Sequence, residues 1–159
     1  MKNKRKIIII VVCVIAAAAI AVGAGVGYYY SRPERTAEKV LTAVYTVDNA
    51  EIQRRREAID NKTFDAYIRD LCDDAVTDNC IDGMIAACAL YYGATPAKVE
   101  SIKFSPIDKA TSDTASFQYT AVFSDDSNAK ERIGHVVMKK ENGKWRVDSF
   151  VTKSVTKAD

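Results

Sequence analysis

Between Ile7 and Tyr30 the chain carries no charged side chain. Wound as an α-helix at about 1.5 Å per residue, this run measures about 36 Å, enough to cross a hydrocarbon core of about 30 Å with some tilt. It predicts a transmembrane helix over 7–30. Lys2, Lys4, Arg5 and Lys6 precede it, and a cationic flank stays cytoplasmic. The chain beyond the run is therefore expected outside the cell membrane, as the larger part of a single-pass protein. Tyr28, Tyr29 and Tyr30 close the run, where amphipathic rings favour the headgroup layer. Pro33 holds the residue before it out of the α region, so 31–33 reads as a linker. A cleaved signal peptide is the rival reading. Ala19-Ile20-Ala21 resembles a cleavage site, but the apolar run exceeds the usual length of a signal core. A lipoprotein reading is weaker, because Cys13 follows Val12 rather than a small residue. Ala19, Gly23 and Gly27 stand four apart, a small-residue ridge along which two such helices can pack as a homodimer.

The charge balance changes once this segment is set aside. Of the 23 bases, four precede the run, so the remaining 19 stand against all 21 acids. A mildly acidic domain lacks the basic surface that phosphate backbones require, which argues against nucleic acid as a partner. Roughly 125 residues remain, one domain's worth.

The first half of that domain reads as helical. Ala37, Val40, Leu41 and Val44 form a stripe at helical spacing within 34–47. Asp48-x-x-Glu51 resembles a capping box and predicts a second helix over 50–59. Its Arg54, Arg55 and Arg56, flanked by Glu51 and Glu57, read as a solvated face. Phe64, Tyr67, Ile68 and Leu71 mark a third helix, and Ile81, Met84, Ile85 and Cys88 a fourth; Gly93 and Pro96 end the helical half. The period then falls to two. Val99–Phe104 and Ala115–Phe123 read as strands, and Asp125–Asn128 as a turn. Arg132–Lys139 and Lys144–Val151 follow as strands, joined by the hairpin signal Asn142-Gly143. Residues 152–159 look like a frayed tail. Helices first and strands after them imply an α+β fold with a mostly antiparallel four-stranded sheet.

An N-terminal anchor, an amphipathic entry helix, further helices and a sheet ending in Glu141-Asn-Gly-Lys-Trp-Arg-Val-Asp-Ser-Phe150 together resemble the nuclear transport factor 2-like superfamily, and most closely its small membrane-anchored bacterial envelope proteins. The resemblance covers about 34–151. It implies helices packed on a bent sheet to form a cone with a pocket. In that superfamily the cone serves ketosteroid isomerase-like enzymes as well as binding and assembly modules, so the fold leaves function open.

Strand alternation and this resemblance together nominate Phe117, Tyr119, Phe123, His135 and Trp145 as the lining of such a pocket. His135 is the only histidine and shares strand parity with Ile133 and Val137. One histidine does not make a zinc site, and nothing nearby supplies a nucleophile-and-base set. A partner such as Tyr119 or Asp148 would be needed for general-base work. The run Asp78–Gly83 resembles a calcium loop but has Cys80 at its third position and Ala89 where the bidentate acid belongs. No cofactor motif is present, and no metal site or catalytic residue is expected. Cys72, Cys80 and Cys88 would lie in an oxidising space, where one disulfide among them is possible and its pairing stays open. The expectation is a non-enzymatic binding or assembly module tethered to a bacterial cell envelope. Its partners would be membrane lipid through the N-terminal helix, and envelope proteins or a small apolar ligand at the domain. The alternative is an isomerase-like enzyme that uses the same pocket.

Overall fold

The helical stripe Ala37, Val40, Leu41 and Val44 buries completely or nearly so in the computed structural model, which describes residues 32–87, 96–124 and 129–157. These residues form the inner face of α1 (Pro33–Tyr45). Asp48 caps the next helix, α2 (Asn49–Asp60), by accepting a hydrogen bond from the Glu51 N–H at 2.6 Å. Two shorter helices follow, α3 (Phe64–Leu71) and α4 (Asp78–Ala87). Phe64, Ile68, Ile81 and Met84 are buried, as their spacing predicts. Thr77 stands just before α4 and its hydroxyl accepts from the Cys80 N–H at 3.3 Å, a capping contact.

Four strands then form one antiparallel sheet in chain order: β1 (Val99–Pro106), β2 (Thr114–Phe123), β3 (Ala129–Glu141) and β4 (Lys144–Lys157). Neighbouring strands in sequence are neighbours in space, as hairpin connections dictate. Asn142 and Gly143 both have positive φ, 51° and 79°, the backbone of the tight hairpin turn that Asn-Gly favours. The architecture is thus α+β, with helices preceding an open antiparallel sheet.

Two differences from the sequence reading have clear causes. β4 does not fray after Val151. β3 begins early enough to pair Glu131 with Thr156 and Ala129 with Lys157, so the ladder continues to Lys157. Arg55 is not part of a solvated face. Glu51, Arg55 and Ala58 are the buried residues of α2, and their spacing is itself a helical stripe that includes charges.

The sheet has two unlike faces. Ala115, Phe117, Tyr119, Ala121 and Phe123 of β2 face the helices and are buried, with Val136 and Met138 of β3 and Val147 of β4. The intervening residues, Ser116, Gln118, Thr120 and Val122, are exposed or half-buried. Among the described residues no helix is long and apolar enough to cross a membrane. The expected membrane helix over 7–30, with its ridge of Ala19, Gly23 and Gly27, lies outside the described residues, as do Cys88 and the turn at 125–128.

Candidate functional site

The structure sorts the five nominated pocket residues by strand parity. Phe117, Tyr119 and Phe123 share the helix-facing side and are packed into the core, Tyr119 at 0% exposure. Phe117 meets Phe104 edge to face, with ring centroids 5.9 Å apart. Trp145 lies near the hairpin end on the same side, half-buried against the core. Lys140 holds its Nζ 5.7 Å from the Trp145 ring centroid.

His135 does not join them. Its neighbours Gly134 and Val136 point toward the helices, so its own side chain takes the outer face. There it stands in register with Gln118 of β2 and Val151 of β4. Asp148 lines neither of the described cavities. Its carboxylate accepts from the Thr77 hydroxyl at 2.9 Å and from Asn79 Nδ2 at 3.3 Å, tying β4 to the start of α4. The backbone reinforces the tie: Thr77 N–H donates to the Val147 carbonyl at 3.0 Å, and Val147 N–H to the Ala75 carbonyl at 2.9 Å.

What the inner face does hold is a hydroxyl cluster. Tyr119 is in register with Gly134 on β3, and its phenol crosses the glycine. A Cβ on Gly134 would lie 2.4 Å from the Tyr119 hydroxyl and 2.1 Å from the Val151 carbonyl oxygen. Only a residue without a side chain fits under this ring. The phenol donates to the Val151 carbonyl at 3.3 Å and meets the Tyr45 hydroxyl at 2.5 Å; Tyr45 in turn lies 3.0 Å from Thr152 Oγ1. One consistent arrangement runs Thr152 to Tyr45 to Tyr119 to the carbonyl, each hydroxyl donating onward. The Tyr45 ring also packs edge to face on Phe123 and Phe150. Arg132 lies over the Tyr45 and Phe123 rings, 4.9 and 5.1 Å from their centroids, and its Nε is buried without a hydrogen-bond partner among the described residues. Stacking of the guanidinium on two aromatic faces supports it there. The cluster contains neither a carboxylate nor an imidazole, so it locks α1 to β2 and β4 and offers no acid–base pair.

Sequence reasoning missed a second polar cluster, inside the helical layer. Glu51 and Arg55 are each only 5% exposed. Arg55 Nε donates to Glu51 Oε1 at 2.8 Å, and Arg55 Nη1 donates to the Val44 carbonyl at 3.1 Å. The Tyr67 hydroxyl donates to the same Glu51 carboxylate, and Arg54 reaches its other oxygen at 3.0 Å. The charges are thus paired and hydrogen-bonded, the condition under which burial is tolerated. A third group is exposed: Arg69 reaches Asp65, Asp74 and Asp78, and Arg146 reaches Asp74. The Arg146 guanidinium, with Arg69 beside it, holds the Asp74 carboxyl below the usual carboxylate range.

Cys72 and Cys80 are buried free thiols. Burial pushes their pKa from 9.0 up to about 11 and about 12 respectively. At neutral pH both are protonated and poorly nucleophilic. Asp78–Gly83 is helical, so the run that resembles a calcium loop takes no loop conformation.

An open cleft of about 660 Å³ lies between the end of α1, the start of α2 and the entry to β1, lined among others by Thr42, Thr46, Glu51, Arg54, Lys98 and Ser124. None of the five nominated pocket residues borders it. No family model, no curated protein and no solved structure matches this chain.

Proposed function

We propose that this chain is a membrane-tethered, extracytoplasmic binding or assembly module of nuclear transport factor 2-like type, non-enzymatic, anchored through residues 7–30 in a cell envelope and working through the outer face of its sheet. One observation carries the reading: the rings that would line a ligand cone are spent on the protein's own core, while no described helix packs on the opposite face of the same strands. On that face Val122, Ile133 and Val137 are half-buried and Val151 is 55% exposed, interleaved with Ser116, Gln118, Thr120 and His135. A mixed stripe of β-branched apolar and neutral polar side chains resembles the make-up of a protein contact more than that of a solvated face. A tether suits weak contacts, because confinement to one membrane raises effective concentration. The four-stranded antiparallel sheet preceded by helices supports the superfamily assignment. The isomerase-like alternative has less support, because His135 and Asp148, its two candidate acid–base groups, sit outside the helix-facing core.

The test places a photo-crosslinking amino acid at Val151 or Ile133 in the full chain in its native membrane. Discrete adducts are expected from these positions and none from Gln53, exposed on α2 in the helical layer on the other side of the sheet. An adduct of twice the chain mass would identify the partner as a second copy. Absence of adducts from every outer-face position, with the protein folded and membrane-bound, sinks the reading.

A further inference from the structure

The open cleft at the end of α1 has walls fixed by backbone. Val47, two residues past α1, exchanges two hydrogen bonds with Ala97: its N–H donates at 2.7 Å, and the Ala97 N–H donates back at 2.8 Å. Thr46 Oγ1 accepts from the Val99 N–H at 3.3 Å, and the Ser124 N–H donates to the Lys98 carbonyl at 2.9 Å. The connection from α1 to α2 is thereby stitched to the entry of β1 and the exit of β2. The space between them, about 660 Å³, falls in the range of small-molecule sites, about 300–1,000 Å³.

Its lining is of two kinds. Val47, Leu71 and Ala97 give an apolar stretch, and Asp48, Glu51, Arg54 and Lys98 bring charge. The two acids are already engaged. Asp48 accepts the Glu51 N–H at the start of α2, and the buried Glu51 carboxylate takes Arg55, the Tyr67 hydroxyl and Arg54. Arg54 is not used up by that contact. Its side chain is 63% exposed and gives one nitrogen to Glu51 Oε2 at 3.0 Å, so most of its five N–H donors remain for a ligand. Lys98 is exposed on the β1 side. Thr46 Oγ1, an acceptor from Val99, keeps its proton to donate. The cleft therefore offers donors and engaged acceptors. Arg55 behind Glu51 cancels that carboxylate, which leaves Arg54 and Lys98 against Asp48 alone.

This charge pattern selects the occupant. An excess of one positive charge suits a monoanion, whereas a dianion such as phosphate would also meet the Asp48 and Glu51 carboxylates at close range. We propose that the cleft binds a small amphiphilic carboxylate, its acid group on Arg54 and Lys98 and its aliphatic body along Val47, Leu71 and Ala97. The planar guanidinium matches a carboxylate by two parallel hydrogen bonds. The buried Glu51–Arg55 pair then has a task beyond stability, to which such pairs add little on balance. It holds the carboxylate that anchors Arg54 at the edge of the cleft. The site shares no residue with the outer face of the sheet and stands independently of the partner contact proposed there.

The test titrates the purified full chain with hexanoate and follows methyl NMR signals. Saturable shifts are expected at Val47 and Leu71, with Val151 of the outer face unmoved. R54Q should weaken binding about ten-fold, the loss that follows removal of one charged hydrogen-bonding partner, and K98Q should weaken it several-fold. R56Q, at an exposed arginine of α2 that does not line the cleft, should leave the affinity unchanged. All three positions are exposed, so each variant should keep the parent melting temperature. Hexylamine, of equal length and opposite charge, should produce no saturable shift, and inorganic phosphate should not displace hexanoate. The proposal is overturned if hexanoate gives no saturable shift at Val47 and Leu71, or if R54Q and K98Q bind it as tightly as the parent. Equal binding of hexylamine, or displacement by phosphate, overturns it as well, since the cleft would then not select a carboxylate.

Discussion

Residues one apart on β2 and β3 live in different media. On the inner face, Tyr119 is sealed under α1, its hydroxyl shared with Tyr45 and its ring laid over Gly134. On the outer face, Gln118 and His135 stand in register and nothing described packs over them. The difference shows where stability and recognition are separated in this molecule. The inner face and the helical layer above it hold its tightly fitted groups, while outer positions are free to change with a partner.

That contrast can be broken or sharpened by measurement. The largest loss is expected from R55A, which leaves the Glu51 carboxylate buried without its main partner. Stability should fall by about 3–5 kcal/mol, read by thermal or urea unfolding of the full chain in detergent. G134A should cost about 3 kcal/mol, because the added methyl collides with a backbone carbonyl as well as a phenol. The double variant G134A/Y119A should lose less than the sum of the two singles, since one clash is then removed. Base should weaken the domain next. The folded-state pKa values of Cys72 and Cys80 lie above their ordinary value. Both thiols then hold their protons in the fold after the unfolded chain has lost them. Their stabilisation is complete below about pH 9 and is lost as pH rises from about 9 to about 12, at up to about 2.7 kcal/mol per pH unit while both thiols differ between the folded and unfolded chain. Pulse alkylation read by mass spectrometry should find both slow to react at pH 7 and fast in denaturant. Y119F removes one hydroxyl from a satisfied network and should cost about 1 kcal/mol. At the bottom of the scale, V151S and H135A should stay within about 0.5 kcal/mol of the parent while reducing crosslinking to a partner. If either destabilised the fold as strongly as Y119F, the two faces would not be distinct.

Much of the fold was legible because local signals and tertiary packing agree. The α1 stripe, the Asp48 cap, the β2 alternation and the Asn142-Gly143 turn each depend on residues close in sequence, and each appears as read. The site was less legible because its decisive relations are long-range. Nothing near His135 in the chain says which face of β3 meets the helices. That is set by Val136 and Met138 packing under them. Arg55 looked solvated because it sits between two other arginines, yet Glu51, Arg55 and Ala58 fall on one helical face, a pattern that ranking residues by polarity conceals. The length of β4 was hidden for the same reason. It follows from where β3 starts, not from the composition of 152–157.

The crossing of Tyr119 over Gly134 has a consequence for descent. A side chain at 134 would meet the Val151 carbonyl oxygen as well as the phenol. Position 134 should therefore stay glycine in any relative that keeps this strand pairing, even where the tyrosine, fifteen residues earlier in the chain, has been replaced by a smaller residue.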